Sequence, residues 1–242
     1  MSKSFFQFKQ FLIHQDKCAM KVCTDACILG AYADAENAQQ ILDIGTGTGL
    51  LSLMLAQRTS AHIDAVEIDT DAYSQAVNNI TNSKFSKQIE VYHTSVQTFS
   101  REFSASIKPT YDLIISNPPF YQQSLQSPDV QTNKALHATT LTFEDLTAAV
   151  ITLLNANGQF VVLLPPFETQ QLTDIAQKKA LYLSKKLLIQ HNSQKTVFRI
   201  ISTFQKNPVS DYQEDTLVIH ETAHQTYTDK FQKLLRDYYI IF

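Results

Sequence analysis

Ile41-Leu42-Asp43-Ile44-Gly45-Thr46-Gly47-Thr48-Gly49-Leu50 decides how this chain folds. Its first four residues form an apolar run of strand length, and Leu50 to Arg58 continues as a helical pattern without breakers. Between them stand three of the chain's five glycines. A strand, a glycine turn and a helix make a loop whose backbone amides can approach a nucleotide closely. The spacing is GxGxG. A dinucleotide fingerprint needs its third glycine where Leu50 stands, and no Gly-Lys-Ser/Thr follows to make a P-loop. Glu67 closes the next apolar segment, Ile63-Asp64-Ala65-Val66, 18 residues beyond Gly49. A carboxylate there is placed to accept hydrogen bonds from ribose hydroxyls.

Outward from this loop, strand and helix patterns alternate, which predicts a doubly wound α/β domain. Strands are expected at 40–44, 62–67, 88–92, 111–116, 158–164, 181–190 and 197–205. Helices are expected at 50–58, 71–83, 142–155, 167–179 and 229–239, with Thr142 as an N-cap ahead of Glu144 and Asp145. The polar turn His191-Asn192-Ser193-Gln194-Lys195 predicts an antiparallel hairpin at the end of the sheet. Residues 1–33 read as an extension, with a helix over 24–33 capped by Thr24, before a core of 34–242 in one domain. The long polar connection 121–140 also lies outside the alternation. Ligands of such sheets sit at the carboxyl ends of the strands, so both segments are expected to wall a cleft there.

The second telling stretch is Asn117-Pro118-Pro119-Phe120, directly after Leu113-Ile114-Ile115. Two consecutive prolines cannot continue a central strand, because neither donates to the ladder. The chain must turn out, leaving an amide, a proline carbonyl and an aromatic ring at a rigid corner. Two acceptors beside a flat ring suit an exocyclic amino group on a planar base.

Composition narrows the class. A chain of 242 residues with 44% hydrophobic and 18% charged residues is ordinary for a soluble globular protein. No run of about 18 apolar residues exists to span a membrane, and Gln7, Lys9 and Gln10 interrupt any signal-peptide core. A cytoplasmic location is expected. Cys18, Cys23 and Cys27 are too closely spaced for a disulfide framework and lack histidines at ligand spacing, so buried thiols rather than a metal site are expected. Net charge is −3, yet 175–210 carries Lys178, Lys179, Lys185, Lys186, Lys195, Arg199 and Lys206 with no acid. These either form a basic face for nucleic acid or stand as solubilising lysines on edge strands.

Glycine loop, acid spacing and proline corner together resemble the class I S-adenosylmethionine-dependent methyltransferases. Phe8-Lys9-Gln10-Phe11, Gln15-Asp16-Lys17-Cys18-Ala19-Met20-Lys21-Val22 and Thr24-Asp25 narrow this further. With Asp43 to Leu50, Asp64 to Glu67, Asp112 to Phe120, Leu217-Val218-Ile219 and the aromatic C-terminus, they resemble the bacterial N6-adenine methyltransferases of valine tRNA position 37. The resemblance implies a Rossmann-like class I methyltransferase fold: seven mostly parallel strands, an antiparallel C-terminal strand and helices on both faces. It implies S-adenosylmethionine as cofactor, the anticodon region of valine tRNA as partner, no metal, no membrane and a monomer. Asp43, Gly45, Gly47 and Gly49 would hold the methionine part of the cofactor, and Glu67 its ribose. Lys21, Thr24 and Asp25 would lie near its amino-acid end. Asn117 and Pro118 would accept from adenine N6, Phe120 would stack on the base, and Asn117 would also border the cofactor. Tyr121, Lys134 and His137 would face the substrate. Ser95 stands where relatives carry an acid for the cofactor adenine, and the loop after the corner lacks its usual arginines. The same tetrapeptide serves enzymes that methylate ribosomal-RNA guanine N2 or release-factor glutamine. A non-catalytic RNA-binding module is the remaining alternative.

Overall fold

The computed structural model describes residues 4–18, 20–104, 110–119, 141–222 and 226–242, with side chains at 103 and 104 set aside. Phe120, Tyr121, Lys134 and His137 lie outside the described residues.

The strand-forming runs assemble into a sheet of eight strands. In chain order the strands are β1 (Phe5–Gln7), β2 (Leu12–His14), β3 (Gln40–Ile44), β4 (His62–Glu67), β5 (Ile89–His93), β6 (Tyr111–Ser116), β7 (Leu154–Leu164), β8 (Tyr182–Gln190), β9 (Arg199–Gln205) and β10 (Gln213–Val218). The helices are α1 (Thr24–Tyr32), α2 (Leu50–Ala56), α3 (Thr70–Thr81), α4 (Val96–Ser104), α5 (Phe143–Leu153), α6 (Pro166–Lys178) and α7 (Asp229–Leu235). The large sheet runs β10-β8-β9-β7-β6-β3-β4-β5, and β1 pairs with β2 in a separate hairpin. Only β9 runs against its neighbours, antiparallel to both β7 and β8.

Alternation along the central strands divides the core. Ile41, Leu113, Ile115 and Leu163 face α1, α2, α3 and α7, whereas Leu42, Ile114, Phe160 and Val162 face α4, α5 and α6. Both faces of β3 and β6 are thus covered, which is why these runs are continuously apolar.

Several expectations need correction. The sheet has eight strands, not seven, and the β8–β9 pair is not its end, because β10 adds parallel to β8. Gln213-Glu214-Asp215-Thr216 on that edge is exposed, so its polarity hid it from a reading based on buried patterns. The hairpin β1–β2 and helix α4 also escaped the alternation. Thr24 is the first residue of α1 rather than its cap, which falls at Cys23 with no side-chain bond. Thr142 does cap α5, accepting from Asp145 N.

The cations of 175–210 do not share one face. Lys178 ends α6 at the amino-end side of the sheet, and Lys206 Nζ donates to Leu154 O at 2.6 Å, where β7 begins. Arg199, at the opposite edge, pairs with Asp25 at 3.0 Å. Lys186 stands opposite Glu214 in the ladder. The antiparallel course of β9 sends its two basic ends to opposite edges.

Candidate functional site

Strands β3, β4 and β6 are parallel neighbours and end at one edge of the sheet. Gly45, Gly47 and Gly49 turn the chain from β3 into α2 at φ of 72°, 58° and 81°. All three are left-handed, a region that L side chains avoid. A Cβ at Gly49 would approach Ile80 to 3.2 Å, while Gly45 and Gly47 face open space with nothing within 4 Å. The first part of the loop therefore leaves its backbone accessible, and the last part packs onto α3.

Two carboxylates shape the loop from either side. Asp43 is fully buried, and its Oδ2 accepts from Thr46 Oγ1 at 2.6 Å and Ser52 Oγ at 2.7 Å. Its Oδ1 has no hydrogen-bond partner. Glu67 Oε2 accepts from Gly47 N at 2.9 Å, and Oε1 accepts from Ile68 N at 2.8 Å and Asp69 N at 2.9 Å. A carboxylate offers about four acceptor positions, so Glu67 can brace the loop and still receive a ligand hydroxyl.

A cavity of about 740 Å³ opens here, lined among others by Lys21, Gly45, Gly47, Glu67, Ser95 and Asn117. That is within the range of sites for cofactor-sized ligands. A smaller cavity of about 350 Å³ at Ser60, Ala61, His62 and Phe85 lies at the amino ends of β4 and β5, on the opposite edge from the loop.

At the tip of β6, Ser116 Oγ donates to Ile44 O at 2.8 Å and ties the proline corner to the glycine strand. Asn117 follows with its Oδ1 buried and without a partner among the described residues. Pro118 is buried, and Pro119 is exposed and lines the cavity. A buried acceptor with no donor is costly to leave so, and this one borders an open cavity.

The residues singled out from sequence do not all converge. Lys21, Gly45, Gly47, Glu67, Ser95 and Asn117 line the cavity, whereas Thr24, Asp25, Asp43, Gly49 and Pro118 do not. Asp43 works behind the loop through Thr46 and Ser52. Asp25 is engaged with Arg199 and links α1 to β9. Lys21 Nζ donates to the carbonyls of Cys18, at 3.1 Å, and Gln15, so its ammonium braces the 15–22 segment. Ser95 Oγ accepts from Thr98 N at 3.1 Å and bonds Thr98 Oγ1 at 3.0 Å. That serine caps the first turn of α4, which leaves its oxygen one acceptor position.

Sequence reasoning missed the residues that hold the cavity's outer wall. Asn79 on α3 is 2% exposed. Its amide accepts from His14 N and donates to His14 O and to Thr48 O, each at 2.9 Å. One turn earlier, Gln75 accepts from Lys17 N at 3.1 Å. The two amides pin the N-terminal segment to the glycine loop, and Gln15 accepts from Val22 N at 2.7 Å to fold that segment back. Polar residues at i and i+4 on the inward face of α3 were the available signal. Asn79→Ala removes the partner of three backbone groups, His14 N, His14 O and the buried Thr48 O. A stability loss of about 2–3 kcal/mol is expected in urea unfolding, with faster proteolysis within residues 14–22.

Burial sets the protonation of the site. It pushes the Asp43 carboxyl up to about 6, against the lowering effect of the Thr46 and Ser52 hydrogen bonds. A carboxyl raised in the folded state keeps its proton where the unfolded chain has lost it. Its stability contribution is therefore full below about pH 4 and is lost as pH rises through about 6. Asp43→Asn is expected to remove that falling segment from a stability-versus-pH profile, a change on the order of 2–3 kcal/mol between pH 4 and 7. An unchanged slope would show that Asp43 titrates normally. Burial likewise pushes the Cys18 thiol to about 11 and those of Cys23 and Cys27 to about 12, opposite to what a thiolate nucleophile or ligand requires.

Comparison with known proteins places the chain among methyltransferases. Residues 24–144 match the model of the methyltransferase small domain. Over 98% of both chains it is 45% identical to the tRNA1(Val) (adenine(37)-N6)-methyltransferase of Dyadobacter fermentans. It is 44% identical to the protein of the same name from Bacteroides fragilis, over 99% of each. Among solved structures, a predicted O-methyltransferase from Agrobacterium tumefaciens superposes with a TM-score of 0.67 at 21% identity, covering 88% of this chain and 96% of that one. A putative RNA methyltransferase from Pyrococcus horikoshii gives 0.53 at 16% identity, over 76% and 82%. These structural likenesses show the fold alone, an α/β sheet with helices on both faces.

Proposed function

Because the chain belongs to the tRNA1(Val) (adenine(37)-N6)-methyltransferase family, we propose that it methylates N6 of adenosine 37 in valine tRNA, using S-adenosylmethionine in the cytoplasm. The observation that carries the reading is the unpartnered Asn117 oxygen bordering the cavity of the glycine loop. It supplies an acceptor where a substrate amino group would enter.

The residues present fit the cofactor. Gly45 and Gly47 leave room for close backbone approach, Glu67 retains acceptor capacity for ribose, and Ser95 and Val96 line the wall suited to an adenine. Bound there, S-adenosylmethionine supplies an electrophilic methyl on a sulfonium. The protein's task is alignment, which can remove roughly 7–11 kcal/mol of barrier when reacting groups are held in near-attack geometry. Asn117 Oδ1 and Pro118 O would accept the two N6 protons and draw them out of the ring plane, making the nitrogen lone pair available. Phe120 would hold the unstacked base. The methylated nitrogen is acidic enough to lose its extra proton to water, so no histidine base is needed. Lys21, bound to the Gln15 and Cys18 carbonyls, would keep the 15–22 wall closed over the cofactor's amino-acid end.

Incubation with unmodified valine tRNA and S-adenosylmethionine, followed by mass spectrometry of the digested nucleosides, tests this reading. N6-methyladenosine confined to position 37 is expected. Methyl groups on guanosine, or label recovered in protein instead of RNA, would overturn it.

A further inference from the structure

Two adjacent parallel strands of this sheet are each followed in sequence by two prolines and a phenylalanine. Strand β6 ends in Ser116 and runs into Asn117-Pro118-Pro119-Phe120; strand β7 ends in Leu164 and runs into Pro165-Pro166-Phe167. The strands are paired about 5 Å apart, with Ser116 opposite Val162, so β7 runs two residues past the end of β6 before its own corner begins.

The second corner is built rigidly. Pro165 holds the N-cap of α6 at φ −64° and ψ 163°, and Pro166 takes the first helical position, where its fixed φ suits the helix. Thr169, Leu172 and Ala176 anchor α6 in the core at 2%, 1% and 0% exposure. Phe167 precedes Thr169 by two residues, which places it about 200° round the helix axis, away from that anchor. Its ring is 66% exposed, more than any other aromatic among the described residues that expose a large apolar side chain. Helix α6 packs on α5, and Leu141, just ahead of α5, lines the cavity mouth with Pro119.

Scattered exposed apolar residues are ordinary, but this one stands on a proline-stiffened corner next to the substrate corner. We propose that Phe167 is a stacking platform for an unpaired nucleobase of the RNA, flanking the adenine that enters the cavity. The inference rests on the RNA-methyltransferase reading above. A fixed ring suits a base that has lost its neighbour when the target leaves the stack, and a π face accepts any base.

The test uses an anticodon stem-loop RNA containing the target adenine, with 2-aminopurine replacing one flanking base at a time. Phe167→Ala is expected to weaken stem-loop binding about tenfold, consistent with one lost stack. Phe167→Leu should behave like alanine and Phe167→Trp like wild type. Affinity for S-adenosylhomocysteine and the melting temperature should not change. Quenching of 2-aminopurine at one flanking position should occur with wild type and Phe167→Trp only. Stem-loop affinity unchanged in Phe167→Ala, or fully preserved in Phe167→Leu, would overturn the platform while leaving the reaction intact. A wild-type protein that methylates no adenine in this RNA would overturn the functional reading, and the platform with it.

Discussion

Asn117→Ala is expected to slow methyl transfer to adenine N6 by about 100- to 1,000-fold, the range found when one preorganised polar contact to a reacting centre is removed. The expectation follows from placement. Ser116 ties the tip of β6 to Ile44 O, so the next residue is delivered at a set height above the glycine loop. The Asn117 oxygen is buried there with no partner among the described residues, which leaves it able to accept from a ligand. Single-turnover kinetics at saturating cofactor should carry the whole loss, with binding of S-adenosylhomocysteine changed only a few-fold. A rate within threefold of wild type would remove Asn117 from the reacting nitrogen. Asn117→Asp keeps an acceptor oxygen at the same position and should recover part of the rate.

Glu67→Ala is expected to weaken cofactor binding by about 10- to 100-fold. A ribose hydrogen bond to a charged acceptor is worth about 1.5–3 kcal/mol. The carboxylate also gathers the amides of Gly47, Ile68 and Asp69. Its removal thus loosens the loop as well as the ligand. Calorimetric titration with S-adenosylhomocysteine measures the first effect and thermal unfolding of the free protein the second. Glu67→Gln keeps one accepting oxygen, enough for Ile68 N and Asp69 N, but turns an NH2 toward Gly47 N and carries no charge. It should lose part of the stability and most of the affinity. Titration curves for Glu67→Ala that overlie wild type would end the ribose assignment.

How far the chain was legible depended on where each residue's partners lie. The glycine loop and the proline corner were readable because their constraints are local. Three left-handed turns demand glycine, and two prolines cannot remain in a ladder. Asp43 was correctly attached to the loop, but its work as a buried acceptor for Thr46 and Ser52 became visible only once the helix had turned back over it. Ser95 lines the cavity and also caps α4, a helix the sequence pattern does not reveal. Likewise β10 carries Gln213-Glu214-Asp215-Thr216 on an exposed edge, so no apolar alternation announced it.

Sequence by itself determined the reaction class and the architecture: strand, glycine turn, helix, acid at the next strand's end and an amide-proline corner. These are short-range features, each specified by backbone sterics or by the period of burial. Tertiary structure alone decided which of those residues meet. It turned Asp25 toward Arg199, set Asn79 against both His14 and Thr48, and paired β6 with β7. The physical reason is that hydrogen-bond pairing and strand adjacency join residues far apart in the chain. Asp25 and Arg199 are 174 positions apart, and nothing in the local sequence of either specifies the other.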